Sequence, residues 1–133
     1  MSLKTMTLAT GATLSVTGGT PIVFAENGVT IPNGLQLMVP ADADYQTRRV
    51  CTIKNRPPTL NAKTGVYGKD KKSMSLSLPM VLADGSVVFN TVRIEREVHP
   101  SLSAANALEL IQLASQMFFD TDCTAFWANG SLT

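Results

Sequence analysis

RRVCTIKNR (residues 48–56), KKSMSLSLPMVL (71–82) and VFNTVRIEREV (88–98) write one code three times, and that code decides the fold. In the first, Cys51 and Ile53 alternate with Thr52, Lys54 and Arg56, the period-2 signature of a strand buried on one face only. In the second, Met74, Leu76, Leu78 and Met80 take one side while Ser73, Ser75 and Ser77 take the other. In the third, Val88, Val92, Ile94 and Val98 point inward, leaving Phe89, Thr91, Arg93, Glu95 and Glu97 outside. Three such strands predict a sheet with one apolar face and one face of hydroxyls, cations and a single aromatic.

The connections support this reading. Ala83, Asp84 and Gly85 form a compact turn, so the second and third strands are expected to pair antiparallel. Pro57 and Pro58 stop the first strand, and the long basic loop that follows carries Gly65 and Gly68. LQLMV (35–39), closed by Pro40, is a fourth strand candidate, whereas residues 17–34, with their glycines and prolines, read as irregular chain. Leu3–Val16 reads as a β-hairpin through Thr10, Gly11 and Ala12; such a hairpin is marginal alone and is expected to lie across something else.

After His99 and Pro100 the period changes. Ser101 or Ser103 can cap a helix whose apolar set is Leu102, Ala104, Ala107, Leu108, Ile111, Ala114 and Phe118. Leu110, Leu113 and Met117 widen that stripe beyond half the girth. Such a helix must bury two sides, which predicts a homodimer with Leu108, Ile111, Leu113, Met117 and Phe118 at the interface. Asp120 is expected to cap a short second helix that Asn129 and Gly130 terminate. At 133 residues and 44% hydrophobic, the chain is expected to form one domain, with a hairpin over 1–17, the main sheet over 35–98 and helices over 101–128.

Charge is sorted along the chain although its formal total is only +1. Residues 48–72 hold Arg48, Arg49, Lys54, Arg56, Lys63, Lys69, Lys71 and Lys72 against Asp70 alone, so this zone carries 8 − 1 = +7 and the remainder 3 − 9 = −6. A concentrated cationic zone suits phosphates; a solvated, self-repelling loop is the plainer alternative. Two cysteines make no disulfide framework, and no metal or cofactor is expected. The N-terminal residues lack the apolar core of a signal peptide, and no stretch approaches a membrane span. A catalytic triad would have to use the single histidine, His99, wedged between a strand and a proline. The pairs Asp42/Asp44 and Asp120/Asp122 fit turn and cap roles, so no enzymatic activity is expected.

What remains is the outer sheet face. Thr52, Lys54 and Arg56, then Lys71, Ser73 and Ser75, then Phe89, Thr91 and Arg93 are the candidate RNA-binding residues. Hydroxyls and cations hold phosphates and 2′-hydroxyls, and an exposed aromatic stacks an unpaired base. The wet side of an ordinary antiparallel sheet would also carry Ser, Thr and Lys; Phe89 is the residue it explains least.

With RRVCTIKNR, KKSMSLSLP, VRIEREV, FAENGV and the terminal AFWANGSL in this order, the chain resembles the coat proteins of the single-stranded RNA bacteriophages, the leviviruses. The resemblance implies an α+β fold in which an N-terminal β-hairpin lies on one side of a five-stranded antiparallel sheet. Two C-terminal helices interlock with a partner subunit. It implies dimers that assemble into an icosahedral, T=3-like shell around the RNA genome, made in the host bacterial cytoplasm. It also implies an inner sheet surface that binds an RNA hairpin to repress replicase translation. By position, Thr52, Ser73 and Ser75 would shape a pocket for an unpaired adenine, and Phe89 stands where relatives place a stacking tyrosine. Ser75 replaces a lysine, Arg93 replaces an acidic residue, and the turn Leu82–Ser86 is short for the family, which leaves operator sequence and particle size open. A dimeric RNA-binding regulator without a shell is the alternative.

Overall fold

The computed structural model describes residues 3–133. Its chain forms two compact units, Gly19–Pro100 in one, and Ser101–Thr133 with the chain up to Gly18 in the other.

The first unit is built on a five-stranded antiparallel sheet of β1 (Ala25–Ile31), β2 (Gly34–Met38), β3 (Val50–Arg56), β6 (Asp70–Val81) and β7 (Val87–Val98), neighbours in that order. Between β3 and β6 the loop folds on itself as a two-stranded ribbon of β4 (Leu60–Asn61) and β5 (Val66–Tyr67). The β6–β7 hairpin is the longest pairing, running from Val81↔Val87 to Asp70↔Val98. Its turn closes through Leu82 N–H to the Ser86 carbonyl at 2.8 Å. Gly85 adopts the left-handed φ of 88° that the turn requires. Asp84 accepts from the Ser86 backbone N–H at 2.9 Å and from its hydroxyl at 2.6 Å, which holds its carboxyl below the usual range.

Residues 25–31 form a strand where irregular chain was expected. The glycines and prolines that broke the pattern serve a bulge and a tight turn instead. Between Glu26↔Leu37 and Thr30↔Leu35 the β1–β2 register shifts, with Gly28 at φ 80°. The Asn27 side chain supplies the bonds lost from the ladder there, accepting from Val29 N–H at 3.0 Å and donating to Gln36 Oε1 at 2.6 Å. Pro32 and left-handed Asn33, φ 55°, make the turn into β2. At Gly34 a Cβ would sit 2.8 Å from the Ile53 carbonyl oxygen, so only glycine lets β2 approach β3 this closely.

Between β2 and β3 the chain folds over Val39, which is fully buried. Asp42 clasps Arg49 there through Nε at 2.9 Å, a second guanidinium nitrogen at 3.1 Å and the Arg49 backbone N–H at 3.1 Å. Those bonds lower the Asp42 carboxyl to about 2. Arg48 lies 4.3 Å over the Tyr45 ring and donates to the Asp42 carbonyl. Two members of the basic zone therefore brace a loop.

In the second unit, α1 (Ala104–Phe119) starts at Ser103, whose Oγ accepts from Asn106 N–H at 3.3 Å. Asp120 opens the 3-10 turn Thr121–Cys123, its side chain accepting from Asp122 N–H at 2.8 Å. Then α2 (Thr124–Asn129) ends at left-handed Gly130, φ 76°. Trp127 donates to the Met117 carbonyl at 2.8 Å and stacks on Phe118 with ring centroids 5.0 Å apart, fixing the corner between the helices.

The expected hairpin over Leu3–Val16 is not formed; Met1 and Ser2, within the 1–17 bounds expected for that segment, lie outside the described residues. Leu3–Thr5 is a 3-10 turn, and no strand lies between it and Ala25. At Thr7 and Ala9 helix-unit side chains take the backbone bonds that a partner strand would have taken. The Gln116 amide accepts from Ala9 N–H at 2.8 Å and donates to the Ala9 carbonyl at 2.7 Å, while Asp122 accepts from Thr7 N–H at 3.1 Å. Cys123 is buried, with its sulfur 3.2 Å from that of Met6, and burial pushes its thiol pKa up. Among the described residues no helix is long and apolar enough to cross a membrane.

Candidate nucleic-acid interface

Register turns the alternation of β3, β6 and β7 into an array. Across the polar face Thr52 pairs with Ser75 and Ser75 with Arg93; one step along, Lys54 pairs with Ser73 and Ser73 with Glu95; next come Arg56, Lys71 and Glu97. The central strand contributes the smallest side chains, and its two neighbours contribute longer ones. Serines therefore floor a depression of about 340 Å³ walled by Thr52 and Lys54 on one side and Arg93 and Glu95 on the other. A second hollow of about 420 Å³ adjoins it, sharing Lys54 and Ser73 and extending to Arg56, Lys71 and Asn33.

Seven of the nine RNA-face candidates thus line these two adjoining hollows: Thr52, Lys54, Arg56, Lys71, Ser73, Ser75 and Arg93. Thr91 faces Ser77, and Phe89 faces Pro79, beyond the end of β3, where Val50 pairs with Ser77. Phe89 is 70% exposed. Arg93 lies four positions further along the strand, roughly 13 Å away at ~3.3 Å per residue. Phe89 does not line the depression; it offers a separate stacking surface on the same face.

The fold redistributes the charge that the sequence concentrates. Lys71 is held by Glu95 at 2.7 Å and Glu97 at 3.5 Å, and the Glu95 hydrogen bond raises its pKa. Lys72 is paired with Asp70 on the opposite face. Among the described residues Lys54, Arg56 and Arg93 form no ion pair. Alternation had put Glu95 and Glu97 on this face, but nothing local put them beside Lys71. Gln36, across from Thr52, extends the face on β2 and was not anticipated; its signal was the same parity within LQLMV.

The opposite face is apolar and open. Met74, Leu76, Leu78, Met80, Val88, Val92 and Ile94 are all exposed in the single chain. On α1 no residue is buried; Leu108 is 56% exposed, Ile111, Met117 and Phe118 are also exposed, and Leu113 is half-buried. Phe118 is partly engaged already, through its stack on Trp127. Among the described residues no three metal-ligating side chains converge.

No protein-family model and no curated protein matches this chain. Solved structures do. The chain is similar to the virus-like particle of bacteriophage GQ-907, with 41% identity over 99% of this chain and 100% of that one, and a TM-score of 0.93. The virus-like particle of bacteriophage AVE019 shares the fold at 13% identity, covering 96% of this chain and 99% of the other, with a TM-score of 0.67. That of Wenzhou levi-like virus 4 shares it at 19% identity over 90% and 83%, also at 0.67. With 41% identity along its whole length and a closely superposing fold, the chain belongs to the coat-protein family of the levi-like RNA bacteriophages.

Proposed function

We propose that this coat protein self-associates as dimers, and the dimers as a closed icosahedral shell that packages single-stranded RNA against the polar sheet face. The observation that carries this reading is the division of one sheet into two uncovered faces of opposite chemistry. Seven large apolar side chains of β6 and β7 stay exposed on one side, and the serine-floored depression with Lys54, Arg56 and Arg93 opens on the other. An apolar surface of that extent belongs to an interface. The stripe of α1 that includes Leu108 and Ile111, equally uncovered, is its natural complement from a second copy, so each sheet is sealed by the partner's helices. The GQ-907 relative, found as a virus-like particle, supports the shell and the virion as its location.

On the inner face Lys54, Arg56 and Arg93 contact phosphates, the depression receives an unpaired base, and Phe89 stacks another. A hairpin bound there in the host cytoplasm would repress translation of the message that carries it and mark the RNA for packaging. Expression of the full chain in bacteria tests the reading. Purified protein is expected to elute in the megadalton range with the absorbance ratio of a nucleoprotein, and to show closed particles by electron microscopy. Stable monomers would overturn the proposal. RNA-bound dimers that never close would favour a regulator without a shell, and closed particles free of RNA would remove the packaging role.

A further inference from the structure

The polar face holds four cations, Lys54, Arg56, Lys71 and Arg93, and two carboxylates, Glu95 and Glu97. The carboxylates are not spread among the cations. Both reach the same ammonium, with Lys71 Nζ 2.7 Å from Glu95 and 3.5 Å from Glu97. The three groups together carry +1 − 2 = −1, so a phosphate approaching Lys71 meets net repulsion. Arg56, directly across from Lys71 on β3, has no such partner among the described residues, nor do Lys54 and Arg93.

We propose that Glu95 and Glu97 are specificity-determining residues of this face. By holding Lys71 they withdraw one cation from phosphate binding, so RNA is selected by what enters the depression rather than by backbone charge. This rests on the RNA-binding reading of the face and assigns to two acidic residues a role within it. The carboxylates lower affinity for every RNA, but they lower it most for strands that offer only phosphates. Glu95 also walls the depression, so a strand that places a base there meets a hydrogen-bond acceptor that a bare phosphate cannot use.

The test is the salt dependence of binding to a short oligouridylate, measured by fluorescence anisotropy with full-length protein diluted below the point of assembly. Each cation engaged on single-stranded RNA adds about 0.7 to the magnitude of the slope of log K against log salt. Lys54, Arg56 and Arg93 give the parent a slope of about −2 on that basis. The double variant Glu95→Gln/Glu97→Gln is expected to bind more tightly and to steepen the slope by about 0.7. Adding Lys71→Ala to the double variant should restore the parent slope. An unchanged slope in the double variant, or a steepening that persists without Lys71, would overturn the inference. If neither parent nor variants bind oligouridylate or the RNA recovered from particles, the RNA-face reading itself has failed.

Discussion

Replacing Ile94 by alanine isolates the energetic role of the open apolar face. Full burial of an isoleucine is worth about 1.5–3 kcal/mol, and Ile94 is still 55% exposed in the single chain. Covering the rest by a second copy therefore recovers about 1 kcal/mol, most of which truncation to alanine forfeits. A two-fold interface contains the site twice, so the dimer loses about 2 kcal/mol, or about 30-fold in its dissociation constant. Val66 in the β4–β5 ribbon has the same 55% exposure but lies off the sheet, which makes Val66→Ala a matched control. Analytical ultracentrifugation over a dilution series reads the dissociation constant, and far-ultraviolet circular dichroism confirms that each variant is folded. Dissociation constants for Ile94→Ala that match the parent, or equal losses for Ile94→Ala and Val66→Ala, would refute the assignment of this face to the dimer.

Two further outcomes are expected. Phe89→Ala should weaken binding of hairpin RNA by about 1–3 kcal/mol, the range for losing one stacked base, while leaving particle yield intact; titration of RNA recovered from particles measures it. The Asp42 carboxyl, held at about 2 by Arg49 against its ordinary 3.8, contributes stability fully above that ordinary value and loses it as pH falls toward about 2. Thermal unfolding should accordingly drop across that acid window in the parent, and Asp42→Asn should flatten the drop while lowering stability at neutral pH.

Period-2 alternation in three short runs determined which side chains share a face, because a strand's pleat is a local property of its own backbone. That alone grouped Thr52 with Lys54, Ser73 with Ser75, and Phe89 with Arg93, and the 3.6-residue stripe of α1 announced a helix needing more cover than one chain gives. Caps were legible for the same reason: Ser103, Asp120 and Gly130 act within one turn of themselves. Strand β1 was not legible, since Asn27 and Gly28 look like loop residues until Gln36 supplies the partner across the bulge. Nor was the fate of residues 3–16, where the Thr7 and Ala9 backbones bond to Asp122 and Gln116, more than a hundred positions away. Only the tertiary structure decided register: which serine floors the depression, that Phe89 stands apart from it, and that Glu95 and Glu97 meet Lys71. Register is fixed by pairings between distant segments, and alternation, which repeats every two residues, reads the same whichever way the strands slide by two.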